Sequence, residues 1–328
     1  MVHNYNLQYL YKYDFAAVMD ATTTKEKAAA WAMNVDLLEN KMLCPQCVLT
    51  MKLNIKAKHW RCCRKKKHED DKEVQRSILV NSWFSKMKLN LSQILRLMFA
   101  WCMRAPQTQA THMAKASEKT VSEWYTSCRV LCSKELLGRE FKIGGDGHLV
   151  EIDDTSLKKK SKYGRGKFYE EFWLFGGVDR TSGLWFGRIV FDKRTKETLL
   201  PIIKNFIKPR TSIHSDKSAT YVAERGPRMH TLANNPTLAG MHYEHSWVNH
   251  TLNFVDPVTG THTNTIEGFW GMQIKRHIKA MRGMSQKYLD GYIDEYMWRS
   301  WFFPARSLPD ACVCGLVQVV LRHPNQDE

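Results

Sequence analysis

The sequence predicts a mixed α/β protein. A five-stranded sheet with flanking helices fills its second half, behind a small cysteine-bearing module and a helical module. Three observations lead there. From Lys142 onward, short runs of alternating apolar and polar residues give way to helical spacing and back. Cys44 and Cys47, then Cys62 and Cys63, bracket a short alternating segment. Lys and Arg (49) outnumber Asp and Glu (33), a formal net charge of +16, so a polyanion is the expected partner and nucleic acid the default candidate.

The apolar runs fall far short of a membrane span, and the N-terminus is polar and aromatic, unlike a signal peptide, so no membrane partner is expected. An odd cysteine count of nine suits a reducing compartment with a metal site better than a disulfide framework. Residues 1–40 form a lead-in with one helix over Lys25–Asn40, capped by Thr24. In residues 41–70, the Cys44-Pro45-Gln46-Cys47 knuckle, a hairpin and Cys62-Cys63 have the spacing of a zinc ribbon. Three ligands are Cys44, Cys47 and Cys62; the fourth is His68 or Cys63. Residues 71–141 are helical. A helix at Leu91–Met103 stops at Pro106, and a short helix, a turn at Ser117–Thr120 and a long helix to Leu137 follow. That order fits a helix-turn-helix with Arg129 and Lys134 toward DNA, or a plain bundle with Trp124, Val130 and Leu131 in its core.

Residues 142–303 carry the sheet. Val150 and Ile152 alternate in a strand that ends in Asp153 and Asp154. Strands at Glu171–Val178 and Leu184–Phe191, a helix at Thr195–Ile207 and a strand ending in Asp216 follow. Strand, strand, strand, helix, strand is the order of an RNase H-like sheet, with a further strand at Tyr243–Val248. Thr263 or Asn264 caps a helix whose first turn holds Glu267, and Leu289–Phe303 is an aromatic helix. Residues 304–328 read as a tail, with Cys312 and Cys314 as buried or idle thiols and not ligands.

In such a sheet the first and fourth strands are neighbours, so Asp153 and Asp216 meet and a packed helix supplies Glu267. Three acids together repel unless cations separate them. Two hard divalent ions, Mg2+ or Mn2+, suit in-line attack on a phosphodiester. Lys158, Lys159, Lys160, Lys162, Arg165, Lys167, Lys275 and Arg276 are candidate backbone contacts. His250 and His262 are read as structural histidines or as groups that position DNA or water.

The motif Val150-Glu151-Ile152-Asp153-Asp154-Thr155 resembles the signature of Merlin-type DNA transposases and their bacterial insertion-sequence relatives with an ISXO2-like domain. So do Lys160–Gly166, Phe175-Gly176-Gly177-Val178, Ser215-Asp216 with Tyr221, and Val248-Asn249-His250. His262-Thr263-Asn264-Thr265-Ile266-Glu267-Gly268-Phe269-Trp270, followed by Lys275, is the most specific match. The resemblance spans roughly residues 41–303. It implies an RNase H-like DDE domain with Asp153, Asp216 and Glu267 as the metal-binding triad, and Asp154, His250, His262 and Asn264 in support. It implies cut-and-paste movement of an element with terminal inverted repeats, on double-stranded DNA, by a homo-oligomer. The expected location is the nucleus in a eukaryotic host and the cytoplasm otherwise. A domesticated copy that binds DNA without cutting is the alternative.

Overall fold

The computed structural model describes residues 5–138, 141–157, 172–191, 194–225, 228–276, 278, 286–303 and 309–324. The chain divides into two compact units, Met1–Glu135 with Phe302–Glu328, and Leu136–Trp301.

The first unit opens with two helices, α1 (Phe15–Ala21) and α2 (Lys25–Asn34), where the sequence suggested one. Asp14 accepts the Ala17 N–H and Thr24 the Lys27 N–H, so each helix has its own cap and the chain breaks between them. A three-stranded antiparallel sheet follows, β1 (Lys52–Asn54), β2 (His59–Cys62) and β3 (Val74–Ser77), in that order. The ribbon therefore runs seven residues past its expected end at 70, because Cys62 pairs with Val74 and His59 with Ser77. Helix α3 (Leu91–Cys102) begins at a capping box of Asn90 and Gln93. Its apolar residues are buried nearly all round, which fits a central helix packed by α1 and α2 and by α4 (Gln107–Ala114).

Helix α5 (Glu118–Leu137) starts earlier than expected. Ser117 Oγ accepts the Thr120 N–H, so Ser117 is the cap and Glu118–Thr120 are helical. Helix, turn and helix stand in the anticipated order, but Arg129 is buried and bonded to Thr126, out of reach of a phosphate. The supposed tail holds a helix, here called α9 (Pro309–Arg322), whose Cys312 and Cys314 are buried with Val313, Leu316, Val317 and Val320. Apolar residues crowd Ala311–Leu321, relieved only by Gly315 and Gln318, and this density hides the helical period in the sequence.

The second unit is built on one sheet. Its strands are β4 (Leu149–Ser156), β5 (Trp173–Asp179), β6 (Trp185–Phe191), β7 (Ser212–Asp216) and β10 (Glu244–Val248), lying side by side as β10-β7-β4-β5-β6. The β4-β5-β6 meander is antiparallel, while β7 and β10 run parallel to β4. That order and polarity define an RNase H-like sheet, as the sequence predicted. A short hairpin of β8 (Ala223–Arg225) and β9 (Arg228–His230) occupies the irregular stretch after β7.

Helix α6 (Lys196–Phe206) buries Leu199, Leu200 and Ile203, and its Phe206 ring stacks on Phe186 at 5.0 Å. Helix α7 (Asn264–Phe269) continues into a π turn at Trp270–Lys275. Helix α8 (Gln286–Phe302) brings Ile293, Met297 and Trp298 into the core.

Candidate active site and metal cluster

The parallel register of β4 and β7 pairs Glu151 with His214. Two residues further along each strand stand Asp153 and Asp216. Asp216 closes β7, whereas β4 runs on past Asp153 and Asp154 to Ser156, so these two acids lie within the strand and not at its expected end. On the other side Asp153 faces Gly176 of β5. A Cβ at Gly176 would sit 2.1 Å from the Phe186 carbonyl oxygen and 2.8 Å from the Trp270 ring. Only glycine lets Trp270, three residues past Glu267, lie down on the sheet beside Asp153. This close approach sets how near the Glu267 helix comes to the strand acids.

The electrostatics record the crowding. Burial first, then the charges of Asp154, Asp216 and Glu267, push the Asp153 carboxyl up to about 8. Burial, followed by Asp154, also raises Asp216, against which the nearby His250 and Arg194 pull downward. Asp154 is raised by burial but opposed by Arg194, whose guanidinium bonds it at 3.1 Å and lies 3.6 Å over the Trp173 ring. Among the described residues Asp154 thus has its own cation and Asp153 has none. Tyr221 is buried close enough to feel Asp154, Asp216 and Asp153, and its hydroxyl has no hydrogen-bond partner among the described residues.

Glu267 is half exposed. Thr263 Oγ1 donates to its carboxylate at 2.8 Å, and His250 Nε2 lies 2.8 Å from that hydroxyl and 3.4 Å from the carboxylate. His250 therefore supports the helix acid and is also near enough to act on Asp216. His262 plays a different part. Its Nδ1 and its carbonyl receive the Arg180 guanidinium at 2.9 and 3.0 Å, and Arg180 also grips Glu151. Glu151, fully buried, accepts the Ile266 N–H at 2.9 Å with its second oxygen. The start of α7 is thus tied to β4 through one carboxylate and one guanidinium. Asn264, the first residue of α7, is exposed; only its backbone N–H approaches His262, at 3.4 Å.

Sequence reasoning passed over Glu151 and Arg180. Alternation puts Glu151 on the face opposite Val150 and Ile152, the face of Asp153, so nothing in the sequence marks it as buried; in the structure both faces of β4 are covered there. Arg180→Met is expected to cost about 3–5 kcal/mol, because it strands a buried carboxylate. The double variant Glu151→Gln/Arg180→Met should recover most of that loss in a urea-unfolding series. A double variant as unstable as the single one would remove the charge pairing as the cause.

Among the predicted DNA contacts, Lys275 is half buried and Arg276 exposed. Lys158, Lys159, Lys160, Lys162, Arg165 and Lys167 lie outside the described residues.

In the first unit Cys44, Cys47, Cys62 and His68 bring their ligand atoms within 4.8 Å of one another. His68 Nε2 is 3.4 Å from both the Cys44 and Cys62 sulfurs, and Cys47 is 3.7 Å from Cys62. The His68 Nδ1 faces the Lys72 carbonyl at 2.5 Å, which orients the ring so that Nε2 points inward. Cys63, one residue past the end of β2, is exposed and outside the cluster; His68 takes the fourth corner. The Arg64 N–H leads the groups that draw the Cys62 thiol down to about 6, toward the thiolate a metal requires.

An uncharacterized transposase-like protein of Haemophilus influenzae is 26% identical over 102 residues, 31% of this chain and 69% of that one. Among solved structures, the HTLV-2 integrase catalytic core domain in complex with magnesium covers 48% of this chain and 88% of its own, at 17% identity and a TM-score of 0.28. The Mos1 strand transfer complex covers 70% and 75%, at 10% identity and a TM-score of 0.27. The fold assignment rests on strand order and polarity, not on these scores. The strands that deliver Asp153 and Asp216 and the helix that carries Glu267 all fall within residues 142–300, the segment that matches the ISXO2-like transposase domain.

Proposed function

We propose that this chain is a DNA transposase of the Merlin type that hydrolyses phosphodiesters at the ends of its element and joins the freed 3′-hydroxyl to target DNA. One observation carries the reading: Asp153, Asp216 and Glu267 share an electrostatic neighbourhood, crowded enough to hold Asp153 protonated up to about pH 8. Three oxygen-donor acids in such a cluster fit Mg2+ or Mn2+. When bound, two such ions supply charge neutralisation for the attacking and leaving oxygens of an in-line displacement.

The chain's own residues prepare that arrangement. The parallel β4–β7 pair, in register up to Glu151 and His214, carries Asp153 and Asp216 two residues further along neighbouring strands. The Glu151–Arg180–His262 tie and the Gly176–Trp270 contact hold α7 against the sheet. Thr263 and His250 aim the Glu267 carboxylate. Zinc is the metal we assign to the Cys44, Cys47, Cys62 and His68 cluster, since three thiolates and an imidazole suit its tetrahedral preference. Lys275 and Arg276 are assigned to the DNA backbone, and a homo-oligomer holding two ends is the working assembly. In a eukaryotic cell that work belongs in the nucleus.

The test is cleavage of DNA carrying the element's ends, with Mg2+ or Mn2+, by wild type and by Glu267→Gln. Gln preserves shape and removes charge. Cutting by wild type and background levels for the variant are expected. DNA binding by wild type without cutting in either metal would leave a DNA-binding protein instead.

A further inference from the structure

The loop Thr251–Thr261 joins β10 to α7, and both its ends stand at the acid cluster. Before it, His250 touches Thr263 and Glu267; after it, His262 receives Arg180. Between them the loop turns apolar side chains outward: Leu252 is 75% exposed, Phe254 81%, Val255 43% and Val258 90%. The segment is not slack. The Asn249 carbonyl accepts the Leu252 and Asn253 N–H groups, and the Asp256 N–H donates to the Thr261 carbonyl at 2.9 Å. One Asp256 oxygen accepts the Val258 and Thr259 N–H groups and the Thr259 hydroxyl. A braced frame holding phenylalanine and valine in water is costly and calls for an occupant.

Two arguments choose that occupant. A second copy of the chain is poorly served, since a stable interface buries about 800 Å² on each partner. A phenylalanine contributes about 150–250 Å², and three smaller side chains cannot make up the rest. Nor is the loop an electrostatic grip: it carries no Lys or Arg, and its single acid is spent on its own backbone. What apolar side chains reach in a nucleic acid is the space between base steps, where Phe, Leu and other apolar side chains act as wedges. A duplex phosphate delivered to Asp153, Asp216 and Glu267 would bring the neighbouring base steps to this loop.

We infer that the Thr251–Thr261 loop is a wedge that inserts Phe254, flanked by Leu252 and Val258, into the DNA stack beside the phosphate held at the acid cluster. The inference rests on the proposed DNA-cutting reading. Its occupant is duplex DNA, and its effect is local unstacking. The stiff frame means little ordering is left to complete on binding.

The test uses the full chain and a mixed-sequence duplex with 2-aminopurine replacing adenine, in Ca2+ to permit binding without cleavage. Wild type should raise the fluorescence on binding. Phe254→Ala should abolish the rise and weaken binding about tenfold. Its dependence of affinity on salt should match that of wild type, because phosphate contacts are untouched. Phe254→Leu, still apolar, should keep part of the signal. Wild-type binding without a rise, or an equal rise with Phe254→Ala, overturns the wedge. A changed sedimentation coefficient for Phe254→Ala without DNA also overturns it, and makes the loop a contact between copies. Cleavage by wild type with no fluorescence rise would sink the wedge and leave the catalytic reading standing. A rise without cleavage in Mg2+ or Mn2+ would do the reverse.

Discussion

Asp153→Asn is expected to lose DNA cleavage by at least about 10³-fold, or ~4 kcal/mol of transition-state stabilisation, and yet to melt at a higher temperature than wild type in metal-free buffer. Both effects come from one cause. Burial and the charges of Asp154, Asp216 and Glu267 raise this carboxyl from an ordinary 3.8 to about 8 in the folded protein. Between those values the native state keeps a proton that the unfolded chain has released, so native stability falls as pH rises from about 4 to about 8. Above that window the penalty is complete. Asparagine has nothing to ionise, so the advantage of the variant should grow across the window and then level off.

After allowance for solvent reaching a partly exposed group, the gain is about 2 kcal/mol. Added Mn2+ should reverse the order, because a ligand for the native state stabilises only the protein that binds it. Melting curves at pH 5 and pH 8, with and without Mn2+, decide the matter. An Asp153→Asn protein that melts no higher than wild type at pH 8 without metal would mean the acids are not in conflict.

The second large effect concerns the cysteine cluster. Cys62→Ser is expected to release the metal, lowering zinc affinity by more than about a hundredfold, since even outer partners of a ligand carry 10–100-fold. Cys63→Ser should change nothing. The β1-β2-β3 sheet has little apolar material of its own: Met51 and Trp60 are buried, but most of β3 is exposed. A module so thinly cored depends on its staple. Strong chelators should therefore expose the segment from Cys44 to Ser77 to proteolysis. Zinc content by mass spectrometry of the intact chain, paired with limited digestion, reads both outcomes. Loss of metal in Cys63→Ser with retention in Cys62→Ser would reverse the ligand assignment.

These expectations trace how far residues alone carry the reading. Alternation around Val150 and Ile152 and a later strand closing on Asp216 suffice to order the sheet, because side-chain period and strand polarity leave few topologies; that β4 continues past its acids to Ser156 was not legible. The third acid was legible through the cap at Thr263. Glu151 was not: its partners Arg180 and Ile266 lie 29 and 115 residues away, and a buried carboxylate looks in sequence like one in water. The choice between His68 and Cys63 was equally hidden, since it depends on how the chain turns back after β2 through Lys65–Lys67 to bring His68 onto Cys44 and Cys62. Arg129 shows the opposite failure, a cation on a helix of the expected kind whose face turned out to be the inner one.

The π turn at Trp270–Lys275 separates two phases of one rod. An α-helix advances about 100° per residue, and a π turn takes up roughly one residue more than an α turn does. Upstream, the phase is locked to the sheet by Ile266 on Glu151 and by Trp270 on Gly176. At its far end, Lys275 closes the turn and Arg276 follows it, so both are indexed across the π geometry. Rotation of those cations, to suit a different groove or a different end sequence, leaves the azimuth of Glu267 unaltered. The helix can thus drift in what it grips while staying fixed in where it holds its acid.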